Sequence, residues 1–116
     1  MKSQLVFSTL LLLAMLPSVD LAASASTTWY VNGVSGSDSN NCLSALNACK
    51  TIGHAISLAA AGDTIYLAAA TYSENLTIIM NLTVIGAGAA TTVIDGGGVG
   101  RVVTISNAAA HVNLSA

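Results

Sequence analysis

The sequence predicts an all-β chain wound into a solenoid of stacked coils and led in by a single helix. Three observations carry this. Beyond Gly62 the chain reads as short β-prone segments, "TIYL", "NLTII", "NLTVIG", "TTVIDG", "RVVTIS" and "HVNLSA", broken by small or turn-forming residues. Thr64-Ile65-Tyr66, Thr83-Val84-Ile85 and Val102-Val103-Thr104 recur at a spacing of 19, as do Leu76, Asp95 and Leu114. Two strand series sharing one period of about 20 residues suit coils that each lay their strands on those of the last. Finally, Gly86, Gly88 and Gly96-Gly97-Gly98 fall where corners would need backbone angles that glycine adopts without strain.

The elements follow in order. Lys2, the uncharged run from Leu5 to Leu16, Pro17 and Ala23-Ser24-Ala25 have the arrangement of a secretory signal peptide, so residues 1–25 are expected to be removed before Ser26. The apolar run holds about a dozen residues, short of the roughly 20 that a membrane span needs. The mature chain is therefore expected to be secreted or at the cell surface, with no membrane span. It keeps Lys50 and Arg101 against Asp38, Asp63, Glu74 and Asp95. Two isolated cations cannot neutralise a row of phosphates, which excludes nucleic acid and anionic membrane as partners. With 53% hydrophobic and 7% charged residues the sequence does not have the composition of a disordered tail.

Trp29-Tyr30-Val31 is β-prone, and the Gly, Ser, Asp and Asn after it form a loop. Cys42 and Cys49 are the two cysteines of a chain that is expected to be exported, where thiols are oxidised, so they are expected to bond to each other. Closing so short a loop contributes about 2 to 3 kcal/mol in the chain-entropy view. Two cysteines without a matching Cys or His pair do not make a tetrahedral metal site. From Thr51, apolar Ile52, Ala55, Ile56 and Ala59 trace one face of a helix, capped by Thr51 and stopped by Gly62. Stacked strands leave open edges at both ends, and this helix has the position to cover one.

The stretch "WYVNGVSGSDSNNCLSALNACKTIGHAISLAAAGDTIYLAAATYSENLTI", followed by "LTVIGAG" and "TVIDGGG", is similar to the N-terminal end of secreted right-handed parallel β-helix proteins of the pectin lyase-like superfold. The resemblance covers nearly all of the mature chain. It implies a right-handed parallel β-helix with an N-terminal capping α-helix resembling Thr51 to Ala61, a Gly-Asp-Thr-Ile first strand, and a turn at Thr71 to Glu74. On this reading residues 26–61 form the opening strand, loop and capping helix, and 62–116 form the first two to three coils. Family members continue for many more coils, so a truncated chain with further coils downstream is expected. The scaffold serves lyases, glycoside hydrolases, esterases and adhesins alike, and so implies no single activity.

The candidate sites are sparse. Gly86-Ala87-Gly88 imitates a dinucleotide-binding turn, but Thr91 stands at the third conserved position and a β-prone run follows where a helix is needed. His54 and His111 lack the G-x-S-x-G nucleophile that would give either a catalytic role. Glycosidases need paired carboxylates, and β-helix lyases need carboxylates for calcium plus a base. Here Asp63, Glu74 and Asp95 are scattered, leaving Asp95 with Arg101 as the weak catalytic candidates. Asp63 is expected to shape a turn, and Asp95 to bond backbone N–H groups at the glycine corner. Asp38 has oxygen-rich company but lacks the later Gly and Glu of an EF-hand loop, so no cofactor is expected and calcium is unsupported. Asn75, Asn81 and Asn113 begin formal N-glycosylation acceptors, which matter only in a eukaryotic source. The expected function is that of an exported, non-catalytic β-helix module presenting a face to carbohydrate or another surface. The alternative is the N-terminal part of a polysaccharide lyase or glycoside hydrolase whose catalytic coils lie beyond residue 116.

Overall fold

The computed structural model describes residues 25–116, so the expected signal peptide lies, but for Ala25, outside the described residues. Among the described residues the structure is mostly strand: β1 (Thr28–Val31), a short 3-10 turn (Ala45–Asn47), α1 (Ile52–Leu58), then β2 (Asp63–Leu67), β3 (Ala70–Ser73), β4 (Leu76–Ile78), β5 (Leu82–Gly86), β6 (Thr92–Asp95), β7 (Val103–Ile105) and β8 (Val112–Ser115). Strand pairing is parallel throughout. One sheet has the order β1-β2-β5-β8, a second pairs β3 with β6, and a third pairs β4 with β7.

Three sheets therefore replace the two strand series that the spacing suggested. The interval of 19 holds from β2 to β5, where Thr64 faces Thr83 and Ile65 faces Val84. It then lengthens to 22 between Ala70 and Thr92, to 27 between Leu76 and Val103, and to 30 between Leu82 and Val112. Each increase is a longer corner: 87–91 in place of 68–69, 96–102 in place of 74–75, and 106–111 in place of 79–81. Val103 and Thr104 accordingly pair with β4 rather than extending the β2–β5 series, and Asp95 faces Ser73, not Leu76. The stretch Thr71–Glu74, expected as a turn, contributes three residues to β3. Tyr72 there points inward, is buried, and donates its hydroxyl to the Ala68 carbonyl at 2.7 Å. Burial pushes its phenol above the ordinary value, reinforced by the nearby Glu74 carboxylate, while the Gly33 amide that bonds its oxygen works the other way.

Alternation decides the core. In β2 Asp63, Ile65 and Leu67 are buried while Thr64 and Tyr66 face out, and in β5 Leu82 and Val84 are buried. With Val31, Ile52, Ala55, Ile56, Tyr72, Leu76, Ile78 and the two cysteines, Ile65, Leu67, Leu82 and Val84 form one cluster. Removing a side chain such as Ile65 or Ile78 from water contributes about 1.5 to 3 kcal/mol. Helix α1 lies against β1, β2 and β4 through Ile52, Ala55 and Ile56. The Thr51 side chain accepts from the His54 amide, the N-cap that the sequence predicts. The helix ends at Leu58, short of Ala61. Gly62, with φ of 91°, instead makes the turn into β2.

The two ends of the stack differ. The outer edge of β1 is paired: Tyr30 N bonds Cys42 O, Cys49 N bonds Tyr30 O, and Asn32 N bonds Cys49 O. At the other end Val103, Val112 and Ile94 are only partly buried, Ile105 is 48% exposed and Leu114 is 53% exposed. These residues pair with Leu76, Leu82, Tyr72, Ile78 and Val84, all buried on the partner strands. No helix among the described residues is long and apolar enough to cross a membrane.

Candidate functional site

The outward side chains of the four-stranded sheet form two rows across its strands. Thr28, Thr64, Thr83 and Asn113 are in register in one row, and Tyr30, Tyr66, Ile85 and Ser115 in the next. Parallel pairing without a shift produces this, because equivalent residues on neighbouring strands sit about 4.8 Å apart on the same face. The Tyr30 and Tyr66 ring centroids are 6.2 Å apart with a 45° tilt, within the range of favourable aromatic pairs. A small groove beside them is lined by Asn32, Ala45, Ala48 and Ala68. The rows hold hydroxyls, one amide and aromatic rings, and no ionisable carboxylate or cation.

One carboxylate, Asp63, ties the first two strands of this sheet together, and two others brace the loop and helix beside it. Asp63 is buried and accepts three N–H groups: Thr27 N on Oδ1 at 2.9 Å, and Trp29 Nε1 at 2.9 Å and Ala60 N at 2.8 Å on Oδ2. It ties the start of β1 and the chain leaving α1 to β2. Burial works to raise its pKa, but the bonds from Ala60, Thr27 and Trp29 outweigh it and hold the carboxyl below its ordinary value. Asp38, at the surface, accepts from Lys50 N, Thr51 N and Thr51 Oγ1. Its desolvation is likewise outweighed by the bonds from Thr51 and Lys50, with help from the nearby His54, so its pKa is lowered too. Glu74 reaches back to α1 and accepts from Ile52 N at 2.8 Å and Gly53 N at 2.9 Å, a favourable placement for a negative charge.

Asp95 ends β6, and Arg101 lies in the long segment 96–102 that follows it. Asp95 Oδ1 accepts from Gly97 N at 2.8 Å, the turn-stabilising bond its position before the glycines predicts. Arg101 is tied through its carbonyl, which accepts from Asn75 Nδ2 at 2.8 Å. Asn81 Oδ1 accepts from His111 N at 2.7 Å, and Asn107 Nδ2 donates to Ile79 O at 3.0 Å. Asn75, Asn81 and Asn107 thus each link one connecting segment to another 26 to 30 residues away, whereas Asn113 lies exposed in the threonine row. Gly88 leads into β6 and not a helix, in keeping with a corner and against a dinucleotide turn. Cys42 and Cys49 form a disulfide, consistent with an extracellular protein.

The acceptor role of Asp63 escaped sequence reasoning because its donors lie 34 and 36 residues away as well as three. The local signal was a Trp, which needs a partner for its indole N–H once partly buried. No family model, curated protein or solved structure matches this chain.

Proposed function

We propose that this chain is the capped N-terminal end of an exported right-handed parallel β-helix, and that the outward face of its four-stranded sheet binds a neutral glycan without catalysing its cleavage. The handedness follows the strong preference of parallel crossovers. The observation that carries the function is the in-register pair of rows, Tyr30 and Tyr66 beside Thr28, Thr64, Thr83 and Asn113. A sugar ring has an apolar C–H face that suits a tyrosine ring and hydroxyls that suit Thr and Asn side chains. A face free of Lys and Arg offers an anionic polysaccharide no counter-charge, which favours a neutral one.

The competing reading, an enzyme with its catalytic coils downstream, draws on the apolar residues left exposed on the last strands, chiefly Ile105 and Leu114. Those positions would seat a further coil. The test is retention of the purified chain on insoluble neutral glucan and on pectate, with product release followed in parallel. Retention on the neutral polymer, weakened about tenfold or more in Tyr66→Ala, is expected. Equal retention of Tyr66→Ala and the parent chain would refute the tyrosine face. Chain cleavage that is lost in Asp95→Asn or Arg101→Ala would refute the non-catalytic reading.

A further inference from the structure

Between the paired tyrosines and the loop that covers β1 lies a hollow of about 100 Å³, walled by Tyr30, Tyr66, Ala45, Ala48, Ala68 and Asn32. The backbone of this wall is already paired: Asn32 N bonds Cys49 O, Ala68 N bonds Val31 O, and the Tyr72 hydroxyl donates to Ala68 O. Polar recognition inside it therefore falls to the Asn32 side chain. Its Oδ1 accepts from Val34 N at 2.9 Å and Ser35 N at 3.0 Å, and a group that meets two N–H donors must be the oxygen. Its Nδ2 donates to no other group among the described residues, so this lining residue keeps its donor free. We propose, resting on the glycan-binding reading of the tyrosine face, that the hollow takes the acetyl group of a polymer of N-acetylhexosamine.

Size selects a substituent over a ring. Sites that enclose a whole small molecule begin at about 300 Å³, so a hollow of about 100 Å³ admits a few heavy atoms and excludes a sugar ring. Chemistry then selects the substituent. An acetyl group presents a methyl that suits the three alanine walls and a carbonyl oxygen that suits the Asn32 Nδ2 donor. A bare hydroxyl would leave the alanine methyls against a polar group. A carboxylate would lose water without gaining a cation, since no Lys or Arg lines the hollow. Tyr30 and Tyr66 belong both to the hollow and to the outward row, so a sugar ring lying on them carries its substituents to the mouth.

The test is an NMR titration of the purified, isotope-labelled chain with three soluble probes: an oligomer of β-linked N-acetylglucosamine, the matching glucose oligomer, and that glucose oligomer O-acetylated. The N-acetylated oligomer is expected to bind about tenfold tighter than the glucose oligomer, the worth of one neutral hydrogen bond and a covered methyl group. It should also shift the Asn32 side-chain NH2 resonances, which the glucose oligomer leaves in place. Asn32→Asp keeps an oxygen for the Val34 and Ser35 amides while removing the donor, and Ala45→Leu, at an exposed position, fills the hollow. Each substitution should cut the preference to about twofold or less.

Equal affinity of the parent chain for the N-acetylated and glucose oligomers would overturn the acetyl site and leave the tyrosine face standing. Absence of any shift with all three probes would overturn both. A preference that survives in both variants would also refute the hollow as its source, and tighter binding of the O-acetylated oligomer than of the N-acetylated one would refute the assignment to an amide-linked acetyl group.

Discussion

Replacing Asp63 by Asn changes one atom's chemistry and keeps the shape, yet it should destabilise the chain severely. The carboxylate accepts from donors on both oxygens, Thr27 N on one and Trp29 Nε1 with Ala60 N on the other. An Asn side chain has one acceptor and one donor end, so either orientation sets its NH2 against a backbone N–H. One orientation loses the single bond to Thr27, and the other loses two. A charge-assisted bond contributes about 1.5 to 3 kcal/mol, and an orphaned buried donor costs about 1 to 3 kcal/mol. The expected loss is about 2 to 4 kcal/mol, a fall in Tm on the order of 10 °C or more for a domain of this size. The assay is thermal and urea unfolding followed by circular dichroism, with parent and Asp63→Asn side by side at neutral and acid pH. The Asp63 carboxyl titrates below its ordinary value of 3.8 when folded. Its stabilisation is therefore fully present above that value and disappears as the pH falls through the folded pKa. The gap between the two proteins should be widest near neutrality and close in acid. Equal midpoints at pH 7 would refute the reasoning.

Two further outcomes follow from the same geometry. Gly36→Ala should destabilise by more than about 2 kcal/mol, because an added Cβ would collide with the Cys49 and Asn32 carbonyl groups that hold the loop to β1; an unchanged urea midpoint would count against that close approach. Glu74→Gln should cost about 1 kcal/mol and speed hydrogen exchange at the Ile52 and Gly53 amides, leaving Ile65 protected; uniform protection in both proteins would refute the link between β3–β4 and the helix.

Much of the local structure was legible because its cause is local. The alternation in Thr64–Leu67 and Leu82–Ile85 marks strands with one buried face, and Thr51 before Ile52, Ala55 and Ile56 marks a capped helix. The rest depended on which strands meet. Nothing near Val103 states that it sits on Leu76 at an interval of 27, because corner lengths are set by loops that tolerate insertion while the pairing persists. Tyr72 reads as part of a turn until a partner strand and a pocket for its hydroxyl are supplied.

The sequence by itself determined the β-rich segments beyond Gly62, the capped helix and the expectation of a bonded cysteine pair, through side-chain periodicity and backbone preference. Only the tertiary structure decided the three-sheet register, the acceptor role of Asp63, the tyrosine and threonine rows and the small hollow beside the tyrosines. Each of these joins residues far apart along the chain, and parallel stacking is the physical step that makes distant residues neighbours.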